Sequence, residues 1–262
     1  MKNSSNKKAL KIVMIGSGNV ATHLSSALFN NGYNIVEVYS RTKKNAETLS
    51  KKIAAKPISD IKKITSDADI YIFAVNDDVV KTLAEKIFFQ NKIFLHTSGS
   101  LSMAVFKKYF QQYGVLYPLQ TFSKNRKIDF KKVPICIEGS SKATEKIIFE
   151  LVNKISGNVQ KINSEKRKVL HLAAVFANNF QNHLYTLAKK ITDSEKINFS
   201  LLLPLIEETT AKIKTENPIK IQTGPAARKD KKTMEAHLKM LKNNSSEKEI
   251  YKAISKSIAK NT

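Results

Sequence analysis

A chain of 262 residues is long enough for one large or two modest domains, each with its own core, and 42% hydrophobic residues with only 8 Gly and 6 Pro exclude a disordered or fibrous polymer. No apolar run approaches the length needed to span a bilayer, so no membrane partner is expected. The net charge of +23 invites a nucleic-acid reading, but only four of the 45 basic residues are arginine (Arg41, Arg126, Arg167 and Arg228) and the lysines are scattered along the whole chain. Nucleic-acid binders favour arginine and gather their charge on one element, so no nucleic-acid partner is expected either.

The polar, lysine-rich start (Met1 to Lys8) is followed by an apolar stretch, Ile12 to Ile15, too short for the core of a secretion signal. A cytoplasmic location is the expectation. The single cysteine, Cys136, has neither a disulfide partner nor neighbours at metal-ligand spacing, so no metal is expected. It reads as a buried structural thiol in a strand.

In chain order, Leu10 to Ile15 is a short apolar run of the kind that forms a buried parallel strand, and Asn19 to Asn31 is a helix with Val20, Leu24 and Leu28 on one stripe and Gly32 closing it. Ile35 to Tyr39 predicts a second strand and Lys43 to Lys52 a helix, with Pro57 and Ile58 opening the loop beyond. Further strands are expected at Asp69 to Val75, Lys92 to His96, Gly114 to Tyr117, Pro134 to Ile137 and Val159 to Ile162, with helices from about Asp78 to Ile87 and from Ser141 to Ile155. Strands separated by helices in this way imply an α/β, doubly wound sheet with right-handed crossovers.

After Asn163 the strand pattern stops. Lys166 to Lys190 reads as one long helix, apolar on nearly every side between Val169 and Ala177, and therefore buried at the centre of a second, all-α domain. Phe199 to Lys214 is a further helix with Pro204 at a kink or first turn. Asp230 is a suitable N-cap for Lys231 to Lys242, and Ser246 with Glu249 forms a capping box for the last helix. The domains are expected to be 1–163 and 164–262.

Between the first strand and first helix stands Gly16-Ser17-Gly18-Asn19-Val20-Ala21, which matches G-x-G-x-x-A. Gly16 permits the tight turn, Gly18 lets a pyrophosphate approach the backbone, and Ala21 keeps helix and strand close. The helix N-terminus then offers free N–H groups to the phosphates. The end of the second strand decides which dinucleotide binds. An acidic residue there would hold the ribose 2′-hydroxyl of NAD; instead the chain has Ser40, Arg41 and Thr42, able to bind a 2′-phosphate, and Glu37 lies too early, within the strand. NADP(H) is the expected cofactor. Ligands in such sheets bind beyond the carboxyl ends of the strands, which brings in Ala74, Val75 and Asn76 after one strand and His96, Thr97, Ser98 and Gly99 after the next. The first group suits the cofactor's ribose. The second offers an imidazole and hydroxyls near the nicotinamide.

Val13 to Ala21, His96 to Ser100, Tyr117-Pro-Leu-Gln-Thr-Phe122, His171 to Phe180 and Gln222 to Asp230 resemble a family of Rossmann-like proteins with a C-terminal DUF2520 domain, described as NADP oxidoreductases. The likeness runs through nearly the whole chain. More distantly the chain is similar to the β-hydroxyacid dehydrogenase and pyrroline-5-carboxylate reductase group. That kinship implies a helical C-terminal domain like that of 6-phosphogluconate dehydrogenase and a homodimer formed through it. The resemblance also implies a hydride-transferring enzyme acting on a small carbonyl, imine or hydroxy-acid substrate, with a non-catalytic dinucleotide sensor as the alternative.

β-Hydroxyacid dehydrogenases carry a catalytic lysine three residues before an Asn-Asn pair. Here Asn178 and Asn179 match the pair but Val175 occupies the lysine position, and valine exchanges no proton. Spacings of four, three and four place His171, Val175, Asn178 and Asn182 on one face of a regular helix. His171 is the candidate proton donor and Asn178 an orienting hydrogen-bonder, with a satisfied core histidine as the plainer alternative. His96, Gln120, Thr121 and Arg228 are candidates for the substrate side, Arg228 facing an anionic group.

Overall fold

The computed structural model describes residues 10–241 and 245–261. The chain divides into two compact units, 1–175 and 176–262.

The first unit is built on an eight-stranded sheet: β1 (Lys11–Ile15), β2 (Asn34–Tyr39), β3 (Lys56–Ile58), β4 (Ile70–Phe73), β5 (Ile93–His96), β6 (Gln112–Pro118), β7 (Ile135–Gly139) and β8 (Val159–Lys161). Their spatial order is β3-β2-β1-β4-β5-β6-β7-β8, so the chain starts in the sheet's interior, runs out to one edge and returns to build the other. The helices that cross over are α1 (Asn19–Asn30), α2 (Lys43–Lys52), α3 (Asp77–Ala84) and α4 (Lys142–Asn153), and α5 (Ser164–Ala174) closes the unit. This is a doubly wound α/β fold, as the alternation of strands and helices implies.

The pleat of β1 divides the core in two. Ile12 and Met14 face one layer with Leu24 and Leu28 of α1 and Ile148 and Leu151 of α4. Val13 and Ile15 face the other with Val80 and Leu83 of α3 and Phe106 and Phe110. All of these side chains are buried. With both faces covered, β1 has to be a continuous apolar run, and that is what Ile12 to Ile15 supplies.

Two details depart from the sequence reading. Pro57 and Ile58 belong to β3, an edge strand paired with β2 through Glu37, Val38 and Tyr39, not to a loop. A proline is tolerated on an edge because its missing N–H need not serve a further neighbour. β7 runs antiparallel to β6, whereas every other pair in the sheet is parallel. The connection between β6 and β7 carries a short 3₁₀ turn, Phe130–Lys132, and no α-helix.

The second unit is helical: α6 (Gln181–Ser194), a 3₁₀ turn at Phe199–Leu202 leading into α7 (Leu203–Lys212), α8 (Lys231–Met240) and α9 (Ser245–Asn261). Pro204 sits in the first turn of α7, where its missing N–H costs nothing. Asp230 caps α8, its carboxylate accepting from the N–H of Thr233 at 3.0 Å. Lys242, the expected end of α8, lies outside the described residues. Ser246 stands inside the first turn of α9, not at its cap, because that helix begins at Ser245.

The segment expected as one helix from Lys166 to Lys190 is α5, a π-helical stretch over Val175–Phe180, and α6. It is not a buried central helix: Val169 is 68% exposed, Leu172 58% and Phe176 64%. Apolar residues on nearly every side do signal burial, but among the described residues these three side chains stay exposed.

Candidate nucleotide-binding and catalytic site

The turn between β1 and α1 has the geometry its glycines require. Gly16 adopts φ +128°, and a Cβ there would collide with the carbonyl oxygen of Ala74, so the turn is packed directly onto the end of β4. Its N–H donates to the Tyr39 carbonyl at 2.8 Å, tying the turn to β2 as well. Gly18 differs. A Cβ there would meet nothing within 4 Å, so no protein atom demands glycine. The open space lies at the N-terminus of α1, whose cap has no side chain to satisfy the first free N–H groups. Backbone N–H groups at a helix start, beside room that a side chain would take up, suit a pyrophosphate. Ala21 is fully buried against the sheet, while Val20 is only partly covered.

Around this turn the structure gathers the residues read for the cofactor. Ser17 donates to Ser40 Oγ at 2.9 Å, joining the glycine turn to the end of β2. Arg41 is exposed beside it, and Thr42 holds the N-cap of α2 with no side-chain cap bond. A free hydroxyl, a free guanidinium and the start of a helix are the chemistry a 2′-phosphate needs. Asn19 turns its amide to the Phe122 carbonyl at 2.8 Å, so its side chain anchors the loop after β6. Ala74 is buried and hydrogen-bonded to β1 through its N–H, Val75 is partly covered, and Asn76 is exposed at the N-cap of α3.

Beyond β5, Thr97 is buried and bonded to the Phe73 carbonyl through its N–H at 3.1 Å. Ser98 and Ser100 both donate to Asp77 Oδ2, at 2.8 and 2.5 Å. His96 is fully buried. Its Nδ1 accepts from the Ser98 N–H at 3.2 Å, and burial, helped by the Arg167 charge, pushes its pKa down to about 3. A neutral imidazole sealed in the core cannot reach a substrate, so the substrate role expected of His96 is corrected to packing.

Gly99 brings two distant side chains together. A Cβ there would lie 2.6 Å from Nδ1 of His171 and 2.8 Å from the ring of Tyr117. With no side chain in the way, the Tyr117 hydroxyl and His171 Nδ1 stand 3.0 Å apart, the rings nearly perpendicular at 79°. Tyr117 ends β6 and His171 lies on α5; both are partly covered. Burial raises the Tyr117 pKa first, then proximity to Cys136, while Arg167 lowers it. The phenol is therefore a neutral partner.

Below this pair lies a cluster that sequence reasoning missed. Arg167, one turn before His171, is 0% exposed. Its guanidinium pairs with Glu138 of β7 at 2.7 Å and donates to the Leu101 carbonyl at 2.5 Å. Ser164 donates to the same Glu138 oxygen at 2.7 Å and accepts from the Met103 N–H at 3.0 Å. One arginine thus locks α5, β7 and the loop after β5 together. The available signal was the rarity of arginine in a lysine-rich chain and its four-residue offset from His171.

Gln120 and Thr121 are exposed, and the Gln120 amide oxygen caps the Thr121 N–H at 2.8 Å. In the helical unit Asn178 is exposed within the π-helical stretch, so the four-three-four spacing of a straight helix does not apply across it. Arg228 is exposed in the turn before α8 and adds to the effects that hold the Asp230 carboxyl below its usual range, of which the Thr233 hydrogen bonds are largest. Among the described residues no three His, Cys, Asp or Glu side chains meet as a metal site, and no helix is long and apolar enough to cross a membrane.

Residues 11–98 match the family described as NADP oxidoreductase, coenzyme F420-dependent, and residues 133–258 match DUF2520, a domain of unknown function. Comparison with curated proteins gives no match. Among solved structures, a "putative NADP oxidoreductase" from Bacteroides fragilis is 38% identical, covers 96% of this chain and 98% of its own, and superposes with a TM-score of 0.91. A protein from Thermotoga maritima is 24% identical (95% and 97% covered, TM-score 0.71). An imine reductase from Myxococcus stipitatus in complex with NADP+ is 16% identical (95% and 92% covered, TM-score 0.64) and shares the fold. With a dinucleotide turn of this geometry leading into a DUF2520 region, the chain belongs to the NADP oxidoreductase family in which an N-terminal Rossmann domain is followed by a DUF2520 domain.

Proposed function

We propose that this NADP(H)-dependent protein is a reductase or dehydrogenase that moves a hydride to or from a small substrate bearing a carbonyl, imine or hydroxy-acid group, with His171 as the proton donor. The observation that carries the reading is the meeting of Gly99, Tyr117 and His171 at the carboxyl ends of β5 and β6, on the edge of the sheet where α/β folds bind ligands. The glycine turn accounts for coenzyme binding alone; a titratable imidazole held at that edge accounts for chemistry. A C=N bond is the first substrate to try, because the fold is shared with imine reductase and pyrroline-5-carboxylate reductase.

The bound coenzyme supplies the hydride chemistry at the nicotinamide ring. The chain's own residues do the rest. Gly18 and the N-terminus of α1 take the pyrophosphate, Ser40, Arg41 and Thr42 take the 2′-phosphate, and Ala74 to Asn76 with Thr97 to Gly99 border the ribose and nicotinamide. His171 exchanges a proton with the substrate heteroatom. Asn178, Gln120, Thr121 and Arg228 remain candidates for orienting the substrate, and the domain boundary is proposed near residue 163, just past the last strand, β8. The helical unit is proposed to form a homodimer, since Phe176, Phe180, Leu201 and Leu205 are each at least half exposed and a soluble surface does not keep so many bare apolar side chains. Sedimentation as a monomer at micromolar concentration would remove that part.

The test is calorimetry with NADPH and NADH followed by turnover of a panel of cyclic imines, ketones and hydroxy acids. NADPH binding with turnover of one class, lost in His171→Ala, supports the reading. Full turnover in His171→Ala overturns the assignment. Tight NADPH binding with no turnover favours the sensor alternative, to which Val175 in place of a lysine also points.

A further inference from the structure

We propose that Tyr117 is the positioning residue for proton transfer at His171: its hydroxyl oxygen accepts the Nδ1–H of the imidazole, so that Nε2 is the nitrogen that loads and delivers the proton. This rests on the reading of His171 above and names a second residue in the same site, one that neither the glycine motif nor the helix pattern points to. The 3.0 Å contact engages Nδ1 alone, and a histidine with one nitrogen held exchanges protons through the other. In the reducing direction the substrate carbon takes a hydride from the reduced nicotinamide coenzyme and the substrate nitrogen or oxygen takes the Nε2 proton. His171 passes from imidazolium to neutral imidazole with its Nδ1–H still on Tyr117, and solvent restores the proton.

A phenol suits this task in a way a carboxylate would not. Kept neutral by its surroundings, it orients the ring without binding the imidazolium as a salt bridge, which leaves the proton free to depart. Gly99 is the structural provision for the contact, since any larger residue there would press on both rings. The other charged and titratable groups around the pair are Cys136, opposite Tyr117 on β7, Arg167 on α5 with its partner Glu138, and buried His96 on β5. Among the described residues, the hydrogen-bond partner at His171 Nδ1 is the Tyr117 hydroxyl.

The experiment counts protons exchanged when NADP+ or NADPH binds, by calorimetry in buffers of different ionisation enthalpy across a pH series. The 2′-phosphate is common to both coenzymes and cancels in the difference. The positive charge of the oxidised ring does not cancel, and it expels a proton from a nearby imidazole. Wild-type protein is expected to release more protons with NADP+ than with NADPH, over a bell-shaped range of pH, and His171→Asn to lose that difference. Tyr117→Phe removes the acceptor for a charged N–H, so its maximum moves to lower pH by about half a unit or more. Gly99→Ala, which pushes the rings apart without removing either group, moves it the same way and serves if the phenylalanine variant does not fold. A maximum at the wild-type pH in both variants shows that Tyr117 is mere packing and overturns the proposal. Absence of any difference in the wild type shows instead that His171 is not near the ring, and both readings fall.

Discussion

Arg167 and His171 stand one turn apart on α5: the first is sealed in the interior against Glu138, the second meets the Tyr117 hydroxyl near the end of β6. The buried ion pair fixes the helix that presents the histidine, and through the Leu101 carbonyl it also fixes the loop that carries Gly99. The same helical turn therefore carries both the buried ion pair and the histidine proposed to exchange protons.

Removing the arginine should be costly because it leaves a carboxylate in the interior without its charge partner. Arg167→Ala is expected to lower unfolding free energy by about 3 kcal/mol, the low end for a broken buried pair because the Glu138 side chain keeps 15% exposure. The double variant Arg167→Met with Glu138→Gln, which removes both charges, should recover much of the loss. Urea denaturation of the three proteins checks this, and a double variant no more stable than Arg167→Ala contradicts it.

The two glycines of the turn should respond differently to the same methyl group. Gly16→Ala drives a Cβ into the Ala74 carbonyl at a positive φ, and severe destabilisation is expected. Gly18→Ala meets open space, so its melting temperature should stay near wild type while NADPH affinity falls by about tenfold or more, the methyl standing where the pyrophosphate approaches. Thermal melts with and without NADPH separate the two effects. Unchanged affinity in Gly18→Ala would place the dinucleotide elsewhere.

How far these features could be read from the sequence follows from the range of the interactions behind them. The β1 strand and α1 helix were legible because a doubly covered strand must be uniformly apolar and a tight turn must be glycine, both local demands. β3 was hidden because three residues containing Pro57 carry no strand pattern, and its pairing with β2 is a tertiary event. The exposure of Val169, Leu172 and Phe176 was misjudged because a sequence records that a face is apolar but not what covers it. Of the candidate site, Gly16, Gly18, Ser40 and His171 could be picked out one by one. The Tyr117–His171 bond spans 54 positions of sequence and depends on Gly99 being small, and no periodicity encodes that.

Coenzyme preference should lie in Arg41. Its exposed guanidinium stands just past β2, between Ser40 and Thr42, and a charge-assisted hydrogen bond to a 2′-phosphate contributes about 1.5–3 kcal/mol. Arg41→Ala is therefore expected to weaken NADPH binding by about 10- to 100-fold and leave NADH nearly unchanged. Equal losses for both coenzymes in titration calorimetry would show that the arginine stacks on the adenine common to both and does not read the phosphate.

His96 should make the fold sensitive to acid. Its pKa falls from an ordinary 6.5 to about 3 in the folded protein, chiefly through burial, so between those values the unfolded chain binds a proton that the folded chain refuses. Stability then rises with pH wherever the unfolded state holds more protons: this contribution is complete above about pH 6.5 and drains away as pH falls toward 3. Each unit crossed costs about 1.4 kcal/mol at most, a few kcal/mol in all. Carboxylates titrate in the lower part of that window, so the diagnostic region is pH 5 to 6.5. His96→Gln, which keeps a polar side chain of similar reach but cannot titrate, should be less stable near neutrality and show a flatter slope in that region. Urea midpoints measured across it give the slope directly. A variant as steep as the wild type would mean that the acid sensitivity comes from another group and that the imidazole tolerates its charge in the folded state.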